Sequence, residues 1–446
     1  MDTPICDFVK KYADRESLRL HMPGHKGKGV LGVERLDITE IEGADVLYNS
    51  HGIIEQSQRN ASEIFGSAET LYSTEGSSLC IRAMIELACL YAKDIGREPK
   101  ILAGRNAHKA FLSAIALLDV DTEWLYPDTF EDIMSCEITP KTLKSALAEM
   151  SEMPVALYIT SPDYLGNIAD VKGLAQICHE MGILLLVDNA HGAYLKFLRE
   201  SSHPIDLGAD MCCDSAHKTL PVLTGGAYLH ISKNAPRILC GSAKQAMSLF
   251  ASTSPSYLIL QSLDMANRYL CEGYCDRLRD FLPVVRDLKQ KLADAGYVLS
   301  GNEELKLTIK SKPYGYTGFE IAEILSKKGI VCELADPDVV VMMLTPEIAE
   351  DMGELERALL SITRRQAIYA PAPKVSRALR VMTPREAMLS KQRSISIVDA
   401  EGEVCADACV SCPPAIPVLV CGEVIDRDAI KCFEYYGIDT VKIVQK

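Results

Sequence analysis

Strand-length apolar runs alternate with helical patterns between residues 100 and 230. A buried strand is predicted at 183–187, after a helix at 171–181, and further strands are predicted at 154–160 and 210–214. Strands separated by helices are joined by right-handed crossovers and form a mostly parallel sheet. Ligands of such sheets bind beyond the carboxyl ends of the strands. The sequence therefore predicts an α/β fold whose functional residues lie at strand ends.

Other patterns extend this prediction along the chain. The apolar spacing indicates helical structure within 61–100, one or two long helices at 256–295, and a helix near 353–368. A short strand is predicted at 339–344. A chain of 446 residues has room for two or three domains. We expect an N-terminal segment at 1–45, a major domain at 46–290 and a smaller C-terminal α+β domain at 291–446.

Composition narrows the class of partner. The formal net charge is −14, which argues against nucleic acid or an anionic membrane as the main partner. The N-terminus shows no signal peptide, and sixteen cysteines in a chain of this length indicate reduced thiols in the cytoplasm. Cys405, Cys409 and Cys412 have a spacing that could bind three irons of a cluster. We interpret it as coincidence and predict no metal site.

A short stretch combines a hydroxyl, an imidazole and a lysine in Ser215, His217 and Lys218. It follows Asp188 by thirty positions, and Asp188 ends the predicted buried strand. A lysine amine that is desolvated can attack a carbonyl carbon. Earlier in the chain, a Gly-Ser-Ser turn opens a helix, which is a good site for phosphate or simply an N-cap. That turn is formed by Gly76, Ser77 and Ser78.

These groups suit a cofactor with an aldehyde, a phosphate and a basic ring nitrogen, which is pyridoxal 5′-phosphate. Asp188 would keep the ring nitrogen protonated, and Lys218 would bind the aldehyde. Serines and an imidazole would hold the phosphate, and His108 could stack on the ring. A basic loop at 19–27 is predicted either as a flexible turn or as a cationic lip over the active site.

Six segments, in this order, resemble the Orn/Lys/Arg decarboxylase family of fold-type I enzymes that use pyridoxal phosphate, in its short bacterial form without an N-terminal wing domain. The resemblance is dense over residues 20–265 and thinner towards the C-terminus. The segments are His21–Gly27, Arg105–Lys109, Thr160–Gly166, Val187–Ala193, Ser215–Pro221 and Ser252–Tyr257.

The resemblance implies a role for each matching residue. Lys218 is the cofactor lysine, Asp188 pairs with the ring nitrogen, Ala190 packs under the ring and His108 stacks on its other face. Ser161 or Thr160 lies near the phenolic oxygen, and Thr253 reaches the phosphate from the partner subunit of a homodimer. The predicted catalytic residues are Lys218, His217, His108 and Asp188; the predicted cofactor-binding residues are Gly76, Ser77, Ser78, His108, Ser161, Asp188, Ala190, His191, Ser215, His217, Lys218 and Thr253; the predicted substrate contacts are His25, Lys26 and Asp407.

The chain departs from the family pattern at a few positions. Asn189 stands where the family usually has glutamate, which alters the hydrogen bonds beside Asp188. The family glutamate that would meet the distal basic group of the substrate corresponds to Asp407, one methylene shorter. Cys412 replaces a tyrosine and Ala415 a glycine. These changes leave open whether the substrate pocket differs or the rim has drifted neutrally.

The sequence thus predicts a decarboxylase of a basic amino acid, arginine first and then lysine or ornithine, acting in polyamine synthesis. Two alternatives remain at this point. One is another reaction of the same cofactor, such as transamination or carbon–sulfur cleavage, because the fold does not choose between them. The other is a non-catalytic homologue.

Overall fold

The computed structural model describes residues 1–15, 17–127, 135–375, 377–407, 409–412 and 416–445; the side chains of residues 409, 411, 412 and 416 are not described. The strands are β1 (Glu69–Ser73), β2 (Lys100–Gly104), β3 (Asp121–Leu125), β4 (Ala156–Thr160), β5 (Leu184–Asp188), β6 (Met211–Asp214), β7 (Ala227–Ile231), β8 (Val298–Ser300), β9 (Lys306–Lys310), β10 (Leu334–Ala335), β11 (Val339–Met343), β12 (Gln392–Ser396), β13 (Cys409–Cys412), β14 (Ile416–Val420) and β15 (Thr440–Val444).

Helices occupy most of the remaining chain. They are α1 (Pro4–Asp14), α2 (Ile53–Phe65), α3 (Ser77–Asp94), α4 (Lys109–Leu118), α5 (Pro140–Glu149), α6 (Val171–Glu180), α7 (Pro204–Leu207), α8 (Ala216–Thr219), α9 (Arg237–Phe250), α10 (Tyr257–Cys271), α11 (Tyr274–Asp294), α12 (Gly318–Ser326), α13 (Met352–Leu360), α14 (Pro384–Leu389) and α15 (Arg427–Tyr435).

The largest sheet has seven strands in the order β1-β7-β6-β5-β4-β2-β3 and is mostly parallel, which confirms the predicted α/β class. β5 and β6 are parallel, with Asp188 opposite Cys213. β7 is antiparallel to both β6 and β1. Every residue of β5 is buried, as expected for a strand covered on both faces.

The chain forms two compact units. The first comprises Met1–Pro99, Pro154–Leu157 and Val171–Asp276. Its core surrounds the buried strands β1, β5, β6 and β7, and helices α3 and α9 pack against each other there. Within the described ranges, no helix has both the length and the apolar character needed to cross a bilayer.

The second unit comprises Lys100–Met153, Tyr158–Asp170 and Arg277–Lys446. It holds an antiparallel four-stranded sheet in the order β10-β11-β9-β8 and two pairs of strands, β12-β15 and β13-β14. A separate apolar cluster near the C-terminus is built around Phe433, Val418 and Ile443. The predicted boundaries at residues 45 and 290 stay a prediction.

Two predictions of secondary structure were wrong in part. The region 61–100 is not all helical, because α2 ends at the left-handed Gly66 (φ 71°) and β1 follows before α3 begins. The helix near 353–368 ends at Leu360, and residues 363–368 belong to no helix or strand. The region 256–295 contains two helices, α10 and α11, as one of the predicted alternatives.

Candidate active site

Lys218 lies in the single turn of α8, directly after β6. Its amine nitrogen Nζ lies 2.9 Å from Nε2 of His191. His191 is buried and belongs to the turn that follows β5. The backbone of Lys218 is fixed by a 2.9 Å hydrogen bond from its N–H to the carbonyl of Ser215. Two strand ends thus present an amine and an imidazole to each other.

Asp188 is the last residue of β5, and its side chain is almost fully buried. Its Oδ1 accepts a 3.2 Å hydrogen bond from the backbone N–H of Ala190. The thiol of Cys213, opposite it on β6, lies 3.6 Å from the same oxygen. A buried carboxylate at a strand end can accept a hydrogen bond from a protonated ring nitrogen, which is the role predicted for Asp188.

A second group of residues suits an anion. Gly76 has φ 72°, a left-handed conformation that glycine adopts without strain, and α3 starts after it with no side-chain N-cap hydrogen bond. Ser77 opens this eighteen-residue helix, and its Oγ accepts a 2.8 Å hydrogen bond from Oγ of Ser215. The N-terminus of a helix favours negative charge through its free N–H groups. The first unit therefore brings together the predicted phosphate residues Ser77 and Ser215.

The hydrogen bond made by His217 determines which of its ring nitrogens carries the proton. Nδ1 lies 2.9 Å from the carbonyl oxygen of Gly226. A carbonyl only accepts, so Nδ1 carries the proton and donates. Nε2 is then the nitrogen that can accept or release a proton in chemistry at this site.

Three further predicted residues belong to the second unit. His108 is the N-cap of α4, and its Nδ1 accepts a 3.1 Å hydrogen bond from the N–H of Ala110. In the neutral ring the proton is therefore on Nε2. Ser161 is buried after β4, and its Oγ accepts a 3.0 Å hydrogen bond from the N–H of Ala169. The hydroxyl of Thr160 is 3.5 Å from the carbonyl of Asn106.

The predicted substrate residues all make local contacts. Nε2 of His25 lies 3.1 Å from the carboxylate of Asp37, and Nζ of the exposed Lys26 donates to the carbonyl of His21 at 2.6 Å. Oδ2 of Asp407 accepts a 2.9 Å hydrogen bond from the N–H of Lys442. Their substrate roles stay predictions.

The remaining residues that the sequence singled out lie in different environments. Thr253 is exposed. Cys405 is buried, and burial raises the pKa of its thiol well above the ordinary value. The side chains of Cys409 and Cys412, and all of Ala415, lie outside the described residues.

Sequence reasoning missed a buried cluster beside the active site. Asn189 donates from Nδ2 to the carboxylate of Asp214 at 2.6 Å, and His203 and His230 lie on the other oxygen of that carboxylate. The asparagine at position 189 thus hydrogen-bonds to a second buried acid next to Asp188, and the predicted effect of its difference from the family glutamate stays a prediction. The only sequence signal was the unexpected asparagine itself.

The residues of the first unit fit pyridoxal 5′-phosphate. A helix N-terminus with Ser77 and Ser215 suits the phosphate, the buried carboxylate of Asp188 suits a protonated ring nitrogen, and the amine of Lys218 suits the aldehyde. These residues therefore match the phosphate, the ring nitrogen and the aldehyde of the cofactor.

Comparison with known proteins identifies the family of this chain. The family model described as Orn/Lys/Arg decarboxylase, major domain, matches residues 3–309. A Bacillus subtilis protein named YaaO is 31% identical over 97% of this chain and 93% of its own length. An arginine decarboxylase of the same organism is 29% identical, over 96% of this chain and 92% of its own length.

Solved structures agree in fold. The Francisella novicida lysine decarboxylase LdcF superposes with a TM-score of 0.80 at 17% identity, covering 99% of this chain and 81% of that one. The constitutive lysine decarboxylase of E. coli has a TM-score of 0.75 at 16% identity, covering 100% and 82%. The chain therefore belongs to the Orn/Lys/Arg decarboxylase family and is a decarboxylase dependent on pyridoxal phosphate.

Proposed function

We propose that this enzyme removes the α-carboxylate of arginine as CO2 and releases agmatine, with lysine and ornithine as the next candidates. The observation that carries the proposal is the 2.9 Å contact between Lys218 and His191. Lys218 follows β6 and His191 follows the adjacent strand β5, which ends in the buried Asp188. The choice of arginine is supported by the relatives named arginine decarboxylase, which match this chain over nearly its whole length. Agmatine would feed polyamine synthesis.

Bound pyridoxal phosphate supplies an electron sink for the bond that breaks when CO2 leaves. The buried Asp188 carboxylate keeps a proton on the ring nitrogen, which makes that sink effective. Ser77, Ser78 and Ser215 hold the phosphate with Gly76 at the helix start. Ala190 and His108 are proposed to lie on the two faces of the ring.

Proton transfer falls to the residues around the amine. Nζ of Lys218 must lose a proton before it can attack a carbonyl, and Nε2 of His191 is within hydrogen-bond distance to take it. After CO2 leaves, the α-carbon needs a proton. Nε2 of His217 is a candidate donor when the ring carries a second proton, because the proton on Nδ1 is held by Gly226. The amine of Lys218 is the other.

Recognition of the substrate requires an acid for its distal cation. We assign this role to Asp407, whose carboxylate also contacts the backbone of Lys442. An arginine guanidinium and a carboxylate form paired hydrogen bonds. Aspartate is one methylene shorter than glutamate, and the long side chain of arginine would make up this difference. His25 and Lys26 are proposed to meet the α-carboxylate side.

We also propose a homodimer in the cytoplasm. The first unit exposes apolar side chains close together in sequence, which is unfavourable in water unless a partner covers them. Leu18, Leu20, Val30 and Leu31 each expose more than four fifths of their surface. A second copy covering this segment would also allow Thr253 to reach a neighbouring site. The sixteen cysteines favour a reducing compartment.

The test is a substrate panel with the holoenzyme. Release of CO2 from arginine, lysine and ornithine is measured for the wild type, for Lys218→Ala and for Lys233→Ala, an exposed lysine of the same unit. We expect release from arginine by the wild type and the Lys233 variant, and none by the Lys218 variant. A wild type that binds the cofactor but releases no CO2 from any of the three would overturn the proposal and favour another reaction of the cofactor.

A further inference from the structure

A fully buried carboxylate lies two positions before α8, the helical turn that carries the cofactor lysine. Asp214 ends β6, and its side chain has no exposed surface. Its Oδ1 accepts from Nδ2 of Asn189 at 2.6 Å. Its Oδ2 lies 3.0 Å from Nε2 of His203 and 3.2 Å from Nε2 of His230. A buried charge is costly unless such donors surround it, and here three side chains converge on one carboxylate.

Three of these residues could also form a metal site, since the ligand atoms of His203, Asp214 and His230 lie within 4.8 Å of one another. The hydrogen bonds oppose it. Nδ1 of His203 accepts from the N–H of Ile205 at 3.4 Å, so the proton of the neutral ring is on Nε2 and points at Asp214. A protonated nitrogen has no lone pair for a metal. The cluster is therefore a hydrogen-bond network around an anion.

The second histidine extends that network away from the site. Nδ1 of His230 lies 2.8 Å from the hydroxyl of Thr70, which lies 2.7 Å from the hydroxyl of Ser67. Burial lowers the pKa of His230, which keeps its ring neutral, while the two histidines outweigh burial and lower the pKa of the Asp214 carboxyl. The network thus consists of one carboxylate with the side chains of Asn189, His203 and His230 hydrogen-bonded around it.

Asn189 connects this anion to the active site. It follows Asp188 directly, and its backbone N–H donates to the carbonyl of Cys213 at 3.0 Å. Its side chain cannot be reversed, because the amide oxygen would then face the Asp214 carboxylate. The turn from Asp188 to His191 is thus tied to β6 by the backbone and side chain of one residue.

We propose that Asp214 and Asn189 are a positioning pair: the buried Asp214 anion orients Asn189 and so fixes Asp188 and His191 relative to Lys218. Neither residue needs to contact the cofactor. The inference rests on the roles proposed above for Lys218 and Asp188, but not on which substrate is used.

The geometry predicts what a second acid would do. In Asn189→Asp, two carboxylates face each other across 2.6 Å and can coexist only if one is protonated. Cofactor binding by this variant should weaken as pH rises. Other titratable groups that act on Asp214 stay neutral, since burial raises the pKa of each thiol and phenol: Cys80, Cys212, Cys213 and Tyr228.

An exchange of the two side chains is the matched control. In the double variant Asn189→Asp, Asp214→Asn, the amide oxygen at 214 can accept from both imidazoles while its NH2 group donates to the carboxylate at 189. The number of bonds and the charge are those of the wild type. Only the position of the charge changes.

The experiment measures cofactor dissociation constants from pH 6 to 9 by titrating each apoprotein with pyridoxal phosphate, together with the visible spectrum and the melting temperature. We expect binding about 10- to 100-fold weaker in each single variant, as for a broken hydrogen bond to a buried charge, and recovery in the double variant. Single variants that melt lower but bind the cofactor as the wild type does would overturn the proposal, as would a double variant no better than Asn189→Asp. One equivalent of divalent metal in the purified wild type would also overturn it.

This outcome is separable from that of the substrate panel, because the cofactor titration needs no substrate. A wild type that binds the cofactor but decarboxylates nothing would sink the proposed activity and leave the positioning pair testable. Unchanged cofactor affinity in the single variants would overturn the positioning pair and leave the proposed activity standing.

Discussion

Nζ of Lys218 and Nε2 of His191 lie 2.9 Å apart, although 27 positions separate the two residues in the chain. Only one of them can donate in this bond at a time. The pair is therefore suited to pass a proton between amine and imidazole whenever the lysine forms or breaks a covalent bond.

Removing the imidazole tests this role. We expect His191→Phe to lower kcat about 100-fold or more, the usual effect of losing a general base, with a smaller change in KM. His191→Gln retains an acceptor oxygen and should lose less. Steady-state rates of CO2 release measure both, and His51→Phe, at an exposed histidine, serves as control. Equal rates for His191→Phe and wild type would contradict a role in proton transfer.

Asp45 accepts hydrogen bonds from backbone N–H groups around the start of α2, and the pH dependence of stability tests their contribution. Its carboxylate accepts from the N–H groups of Val46, His51, Gly52 and Ile54. Partial burial opposes its charge, but these donors prevail and hold the pKa of Asp45 below the ordinary value. The stabilisation is therefore present above the unfolded pKa, near about 4, and is lost as pH falls through the lower folded pKa.

Asp45→Asn should lower stability by about 1 kcal/mol at neutral pH, since it keeps the shape but loses the charge. Asparagine also tolerates the left-handed backbone found here (φ 72°), so backbone strain does not confuse the comparison. Denaturation at pH 7 and at successively lower pH measures the difference between variant and wild type. A difference that fails to shrink below about pH 4 would count against the carboxylate.

Gly192 leaves room for the Asn189 amide. A Cβ at this position would lie 2.1 Å from Oδ1 of Asn189 and 2.8 Å from Cδ1 of Leu195. Because Asn189 is held by Asp214, we expect Gly192→Ala to cost about 1–3 kcal/mol and to weaken cofactor binding. Chemical denaturation and cofactor titration measure these two effects.

Gly241 is the matched control within the same unit. It lies in α9, and a Cβ there would meet nothing within 4 Å. Gly241→Ala should raise stability by about 0.5–1 kcal/mol, because alanine loses less backbone entropy in a helix. If the two alanine variants changed stability alike, the close approach at Gly192 would not be the cause.

In the second unit, Arg105 and Glu423 form a buried ion pair at 2.8 Å, with side chains only 4% and 3% exposed. Arg105 also donates to the carbonyl of Val418 at 3.3 Å and lies over the ring of Trp124. The substitution Glu423→Gln leaves the positive charge of Arg105 buried without a counter-charge. We expect a loss of about 3–5 kcal/mol, measured by denaturant unfolding.

The exposed ion pair of Arg427 and Glu401 is a control in that unit, since its side chains are 79% and 54% exposed. Glu401→Gln should cost less than about 1 kcal/mol. A loss in Glu423→Gln as small as this would show that water reaches Arg105.

The strand-end residues were the most predictable part of the site. The apolar run before Asp188 and the short strand before Ser215 predicted that both residues lie at strand ends, and the structure adds that the two strands, β5 and β6, are adjacent and parallel. Buried parallel strands leave a clear signal, because they are continuous apolar runs bounded by polar residues. The Gly-Ser-Ser turn likewise predicted the start of α3.

What the sequence could not supply were contacts between distant segments. β1 was taken for helix because four of its five residues are buried, so it lacks the alternation of a half-exposed strand. The Asp214 cluster joins residues from β6, β7 and the segment before α7, and only the pairing of β7 with β6 brings His230 opposite Cys212. No local spacing relates these three positions.

The hydroxyl–hydroxyl bond between Ser215 and Ser77 joins residues 138 positions apart. The residues proposed to hold the phosphate and the aldehyde of the cofactor thus lie on segments that meet only after the strands between them have assembled, so an unfolded chain offers no such site. A ligand that binds only the folded state stabilises it in proportion to the logarithm of its concentration, by about 1.4 kcal/mol for each tenfold excess over Kd. The midpoint of thermal unfolding should therefore climb steadily as pyridoxal phosphate is added, and protein purified with little cofactor should be the more easily digested by proteases.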